Sequence, residues 1–289
     1  MNTKYLPRTL SCLFLFSISI FSQHTFDFDG DGKDDIAVFR PSNGVWYVNA
    51  SSAGFSARQF GISTDVPIAF DYDGDGRTDI AVFRDGVWYW FQSSDSAFAY
   101  RVCGQAGDIP QPSTYNGYCL VYRSSVASFF TQVPFGNPII IEFRHLTLLP
   151  SDKPIVEDYD GDGRGDLAVY RDGHWYWISF LNFDLRHYQF GLPTDKPLPA
   201  DYDGDGRADY AVFRPSNGTW YLQKSTEGFA VIQWGLSDDI PAPADYDGDG
   251  KTDIAVFRPS TGDWYQLRTN NSIHIEHFGA TGDIPAQAR

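Results

Sequence analysis

The sequence predicts an all-β fold: a single six-bladed β-propeller of four-stranded antiparallel blades. Three observations predict it. An acidic pattern returns at a spacing near 44 residues. Each return opens a series of strand-like segments separated by turn residues. The composition, with one Met, 27 Gly, 17 Pro and 17% aromatic residues, suits many short strands better than a helical bundle or a disordered chain.

The pattern is DFDGDGKDDIAVFR from Asp27 to Arg40, and it returns from Asp71, Asp158, Asp201 and Asp245 at spacings of 44, 87, 43 and 44. The long interval holds an eroded copy. There Thr114-Tyr115-Asn116-Gly117 precedes Tyr118-Cys119-Leu120-Val121-Tyr122-Arg123, with four loop residues and every carboxylate gone. The expected organisation is a signal peptide over residues 1–22 and a propeller over residues 23–289, with a degenerate third repeat at about 108–150.

Within a unit, a short lead-in such as Pro67-Ile68-Ala69-Phe70 runs into the acidic loop. A continuous apolar run follows (Ile80-Ala81-Val82-Phe83), the pattern of a strand covered on both faces. Asp85-Gly86, Asp172-Gly173 or a longer Pro-Ser-Asn/Thr-Gly turn comes next, which is hairpin chemistry because Asn-Gly and Asp-Gly accept positive φ. A Trp-Tyr strand starts at Trp46, Trp88, Trp175, Trp220 or Trp264, and a fourth strand ends near Phe60-Gly61 and its counterparts. At the C-terminus, Gly282 to Ala286 repeats the lead-in of a loop that never arrives, as expected of a ring closed by the chain's own end. Residues 23–26 occupy the same repeat position, so the sequence leaves open which end fills that slot.

The loop has carboxylates at positions 1, 3, 5 and 9 and a glycine at position 6. This matches the first part of the EF-hand ligand scheme, in which the backbone carbonyl of position 7 is a further ligand. The candidate Ca²⁺ ligands are Asp27, Asp29, Asp31, Asp35 and the Lys33 carbonyl; Asp71, Asp73, Asp75, Asp79 and the Arg77 carbonyl; Asp158, Asp160, Asp162, Asp166 and the Arg164 carbonyl; Asp201, Asp203, Asp205, Asp209 and the Arg207 carbonyl; and Asp245, Asp247, Asp249, Asp253 and the Lys251 carbonyl. Hard oxygen donors in this number suit about five Ca²⁺ ions. A true EF-hand is excluded, because position 12 is a valine in all five copies (Val38, Val82, Val169, Val212, Val256), inside the apolar strand. The aromatic at position 2 reads as packing, and the basic residue at position 7 as a brake on the local negative field.

The formal charge of −15 disfavours nucleic acid and anionic membranes as partners. Without Lys4 and Arg8 of the signal segment it is −17, and without the twenty loop aspartates it is +3. The acidity is therefore the ligand set itself.

At these residues the chain resembles the FG-GAP and VCBS repeat family, which includes the calcium-loop blades of integrin α-subunit propellers. The D-x-D-G-D-G-x-x-D loop, the I/L-A-V-F/Y strand and the closing Phe-Gly carry the resemblance, which covers residues 24–289. It implies a propeller with Ca²⁺ in loops between the first and second strands of blades. Related folds serve adhesion, glycan binding and, with added active-site elements, polysaccharide cleavage.

Lys4, Arg8 and the short apolar run from Leu10 to Phe21 read as an export signal, and no later stretch is apolar enough to span a bilayer. In an exported chain the isolated pair Cys103 and Cys119, which brackets the eroded loop, reads as a disulfide replacing the lost metal; two buried thiols are the alternative. The Trp-Tyr pairs read as inter-blade core, with Trp90 and Trp177, present in two units only, as candidates for exposed ligand stacking. Arg40, Arg84, Arg123, Arg171, Arg214 and Arg258 recur in all six units, as a structural ion pair or backbone cap would. Six scattered histidines form no zinc-like spacing, and segment 124–150 reads as a modified blade edge or a partner surface. The expected function is a secreted, calcium-binding, non-enzymatic module for a glycan or extracellular protein. The alternatives are a lyase-like polysaccharide enzyme and a purely structural surface protein.

Overall fold

A repeat whose central strand is apolar on both faces has to be covered from both sides by its neighbours. The computed structural model, which describes residues 26–112, 119–131, 139–141, 146–179 and 184–288, meets that demand with a ring. Its strands form six four-stranded antiparallel sheets, a six-bladed propeller. In the second blade the order is Val66–Pro67, Ile80–Arg84, Val87–Phe91 and Phe98–Val102, each strand paired with the next. The second strands are buried along their middle: Ala37, Val38 and Phe39 are each 0% exposed. The third strands alternate, burying Trp46, Trp88, Trp175, Trp220 and Trp264, while the fourth strands expose large side chains such as Phe98 and Tyr100.

The eroded third unit still builds a blade from Ile109–Pro110, Leu120–Arg123, Ser128–Thr131 and Ile139–Ile141. Within segment 124–150 the structure therefore shows blade strands; residues 132–138 and 142–145 lie outside the described residues, as do the eroded loop residues 113–118, the expected signal segment, His24 and His145.

The C-terminal end closes the ring. Ile284 and Pro285 pair with Phe39 and Val38, forming the first strand of the blade made by Ile36–Arg40, Val45–Ala50 and Gly54–Gln59. Ala286 N donates to Ala37 O at 2.9 Å, and Gln287 Nε2 to Asp35 O at 2.7 Å. Phe26 then takes over from the N-terminal side, its carbonyl accepting from Asp35 N at 2.9 Å.

The recurring arginine is an ion pair in all six blades. Arg84 forks onto Asp65 (2.6 and 2.7 Å), and Arg123–Asp108, Arg171–Asp152, Arg214–Asp195 and Arg258–Asp239 repeat the geometry. The same pair crosses the seam as Arg40–Asp283, at 2.7 and 2.8 Å. Each aspartate is buried and also accepts the N–H three residues before it, as Asp65 does from Ile62 at 2.9 Å. Each guanidinium faces an aromatic ring on the third strand: the Tyr of Trp-Tyr in five blades and Phe130 in the third. The Trp-Tyr dipeptide thus divides its labour, with Trp in the core and Tyr holding the arginine.

The closing Phe-Gly has a steric cause. A Cβ on hairpin Gly44 would lie 2.2 Å from the carbonyl oxygen of Gly61, and Gly86 and Gly104 meet in the same way although Cys103 stands where Phe60 does.

Because Asp283 is buried while its arginine is partly exposed, Arg40→Ala strands a carboxylate. Urea denaturation is expected to show a loss of about 3 kcal/mol, matching Arg214→Ala at a junction away from the seam. A loss under about 0.5 kcal/mol would make the seam pair an ordinary surface bridge.

Candidate metal centre

Four of the five acidic loops join a blade's first strand to its second, as Asp71–Asp79 does between Val66–Pro67 and Ile80–Arg84; the Asp27 loop leads into Ile36–Arg40, whose first-strand partner comes from the C-terminal end. A backbone bridge closes the loop neck, between Phe70 and Asp79, Glu157 and Asp166, Ala200 and Asp209, and Ala244 and Asp253. Inside the neck the position-1 aspartate organises the turn. Asp27 accepts Gly30 N (2.6 Å) on one oxygen and Gly32 N (2.8 Å) on the other. Asp71, Asp158, Asp201 and Asp245 do the same with their own glycines. Gly30 and Gly32 take φ of 80° and 84°, where a side chain would strain the loop.

The position-9 aspartate ties the loop to the rest of its blade. Asp79 accepts Tyr72 N at 2.9 Å and Ser93 N at 2.6 Å, the latter from the hairpin between the third and fourth strands. The same hairpins supply hydroxyls to positions 3 and 5: Ser93 Oγ to Asp75, Ser94 Oγ to Asp73, Ser225 Oγ to Asp205, Thr226 Oγ1 to Asp203 and Ser179 Oγ to Asp160. Sequence reading missed this rim. Its signal is a Ser or Thr just after each Trp-Tyr strand (Ser51, Ser93, Ser179, Ser225, Thr269), which looks like ordinary turn chemistry.

These contacts bring carboxylate oxygens of positions 1, 3 and 9 within 4.8 Å of one another in all five loops: Asp27, Asp29 and Asp35; Asp71, Asp73 and Asp79; Asp158, Asp160 and Asp166; Asp201, Asp203 and Asp209; Asp245, Asp247 and Asp253. Position 5 lies outside these trios; Asp31 accepts Lys33 N at 3.0 Å, and Asp75, Asp162, Asp205 and Asp249 accept their own position-7 N–H in the same way. The donor set fits a hard divalent cation, and one oxygen in it has no hydrogen-bond partner. Asp247 Oδ1 is buried without a hydrogen-bond partner, beside two further carboxylates. A carboxylate oxygen that already accepts an N–H keeps a second lone pair for a metal.

Burial dominates the electrostatics. It raises Asp35 and Asp253 to about 7 and Asp79 and Asp209 to about 6, against backbone N–H donors that pull the other way. The basic side chain at position 7 leaves its own loop. Arg77 lies against Gly30 of the preceding blade, and Arg207, Lys251 and Lys33 lie against Gly161, Gly204 and Gly248.

Of the other expected sites, Cys103 and Cys119 are joined in a disulfide. Trp90 and Trp177 are a correction. They are 8% and 9% exposed, packed on the loop tyrosines Tyr72 and Tyr159, and Trp177 Nε1 donates to Tyr210 Oη at 2.9 Å. Each stands two residues after its core tryptophan, on the same face of the strand. Outer strands of several blades carry exposed aromatics, among them Phe55 and Phe229; blade two groups two of them, Phe98 (53%) and Tyr100 (64%), with Tyr89 at ring-centroid distances of 6.3 and 6.4 Å. His174 and His187, apart in sequence, meet across two strands at 2.9 Å.

A family model described as the FG-GAP-like repeat matches residues 27–82 and 201–256. These segments are FG-GAP-like repeats. No curated protein matches the chain. Among solved structures it is similar to an Agrocybe aegerita lectin that recognises non-reducing terminal N-acetylglucosamine (14% identity, TM-score 0.54, 85% of this chain and 76% of the other). It is also similar to a catalytically inactive virginiamycin B lyase from Staphylococcus aureus (9%, 0.51, 87% and 86%) and to BBS1N in complex with ARL6DN (14%, 0.50, 90% and 82%). At these identities the likeness is one of fold, and the FG-GAP-like repeats share it with binding proteins and an enzyme alike.

Asp35, Asp79, Asp209 and Asp253 bind more protons folded than unfolded, since their ordinary value is 3.8. The metal-free chain is therefore expected to lose stability as pH rises from about 4 to about 7. Urea midpoints of EDTA-treated protein at about pH 5 and pH 8 test this; a higher midpoint at pH 8 would refute it.

Proposed function

We propose that the chain is an exported propeller whose five loops each hold Ca²⁺, and that the metal-stiffened ring serves as a binding module for an extracellular glycan. The observation that carries the metal is the fivefold repeat of the Asp trio, with a buried, partnerless oxygen in one copy. Oxygen-only donors select calcium over softer ions. A disulfide and the N-terminal basic-apolar segment support export. Among the described residues no helix is long and apolar enough to cross a membrane, and the acidic charge argues against nucleic acid.

Binding is favoured over catalysis by the placement of the perturbed groups. Every carboxylate among the described residues whose pKa is raised lies in one of the five loops, so the unusual electrostatics repeat around the ring. An active centre concentrates them once. The near-parallel rings of Tyr89, Phe98 and Tyr100 offer apolar faces with phenolic hydroxyls, a surface suited to sugar rings.

Calorimetric titration of the EDTA-treated chain is expected to give five sites with Kd around 10⁻⁴–10⁻³ M, and calcium at tenfold excess over Kd to raise Tm by roughly 10 °C or more. An unchanged Tm would refute the metal reading. On a glycan array, calcium-dependent binding that Phe98→Ala with Tyr100→Ala weakens at least tenfold supports the ligand; a blank array would refute it and leave a protein partner or a structural role.

A further inference from the structure

The five loops touch one another around the ring, through one peptide unit each. Thr78 N donates to Asp27 O at 2.7 Å, Ala208 N to Asp158 O at 2.7 Å, Thr252 N to Asp201 O at 2.7 Å and Asp34 N to Asp245 O at 2.8 Å. In every case the donor is position 8 of one loop and the acceptor is the main-chain carbonyl of position 1 in the preceding loop. The position-8 residues are Thr, Ala, Thr and Asp, as expected if the N–H is what counts. The position-7 side chains make a second set of contacts over the same four junctions: a Cβ on Gly30, Gly161, Gly204 or Gly248 would meet Arg77, Arg207, Lys251 or Lys33 at 2.8 to 3.1 Å. Gly74, whose neighbour is the eroded blade, has nothing within 4 Å.

The junctions run in one direction, from the Asp158 loop through the Asp201, Asp245 and Asp27 loops to the Asp71 loop. The arc crosses the seam between the chain ends and opens at blade three. At the seam it is reinforced: the Asp34 carboxylate accepts Asp245 N and Phe26 N, both at 2.8 Å.

We infer that the loops bind calcium as one coupled arc, each metal transmitting to its neighbour through the position 7–8 peptide. This rests on the calcium reading above, in which the position-7 carbonyl is a ligand. That carbonyl and the position-8 N–H belong to the same planar trans unit and point in opposite directions. A cation on the carbonyl polarises the unit and strengthens its N–H as a donor to the previous loop. In return, metal on the previous loop fixes its position-1 aspartate, whose carboxylate and main-chain carbonyl serve the two loops at once. Coupling is therefore mutual, as linkage requires.

The test compares two disabled loops in the full mature chain, Asp201→Asn with Asp203→Asn inside the arc and Asp71→Asn with Asp73→Asn at its end. Binding is read at each surviving position-8 amide by hydrogen exchange during calcium titration. The inner variant is expected to weaken the Asp158 and Asp245 loops about fivefold or more, and the end variant to weaken the Asp27 loop alone. Wild type provides a measurement independent of variant folding: its isotherm should be steeper than that of independent sites. Five sites that fill independently in wild type, or loops unaffected in both variants, would overturn the coupling and leave the calcium reading standing. No calcium binding at all would overturn both.

Discussion

Everything in this ring depends on a buried carboxylate held by a half-buried guanidinium. The Asp–Arg pair joins the turn that enters each blade to the blade's second strand, and the aspartate also caps its own turn. A two-residue first strand such as Val66–Pro67 makes few ladder bonds and cannot fix its own position. The forked pair supplies what the short ladder lacks, in a geometry that a lysine could not reproduce. Its presence in blade three, which lost its acidic loop, separates the two jobs of the repeat: the pair builds the blade, and the loop is an addition to it.

The acidity therefore has two parts with different fates. Six aspartates are neutralised from within by six arginines. The loop aspartates are held chiefly by backbone N–H and hydroxyl donors, and the position-7 side chains of Lys33, Arg77, Arg207 and Lys251 lie against the neighbouring blade. Crowded and answered chiefly by N–H and hydroxyl dipoles, each loop is a set of hard oxygen donors that could hold a cation. Dipoles hold the oxygens in place but leave the net charge standing, and this is why burial raises the pKa at position 9.

Much of this was legible in the sequence. Period and strand pattern gave six blades, the spacing of carboxylates marked the loops, and the isolated cysteine pair marked the junction at blade three. Other features stayed hidden for physical reasons. The partner of the recurring arginine lies in a Thr-Asp, Gly-Asp, Ser-Asp or Asp-Asp turn that resembles any loop, and the pairing appears only when the lead-in folds back on its own blade. Trp90 was misread because rarity among the units was taken for exposure, although its place two residues after Trp88 sets it on the core face. The composite first blade could not be read either, since both chain ends carry equivalent segments and strand pairing chooses between them.

Blade three shows what a ring can lose. A propeller is bound by neighbours on both sides of each blade, so one absent loop removes a single pair of loop contacts without opening a sheet edge. At the junction before blade three, Cys103 at the end of blade two and Cys119 at the start of blade three's second strand are joined covalently. By the chain-entropy argument, a cross-link closing about 16 residues contributes roughly 3 kcal/mol, comparable to the buried ion pair of one blade. The two kinds of staple differ in what controls them. The disulfide holds whatever the ionic conditions, whereas the acidic loops, on the calcium reading proposed above, depend on the ion. The covalent staple stands at one of the two junctions that lack a loop-to-loop bond, between blades two and three; at the other, between blades three and four, Tyr122 Oη donates to Leu149 O at 2.6 Å.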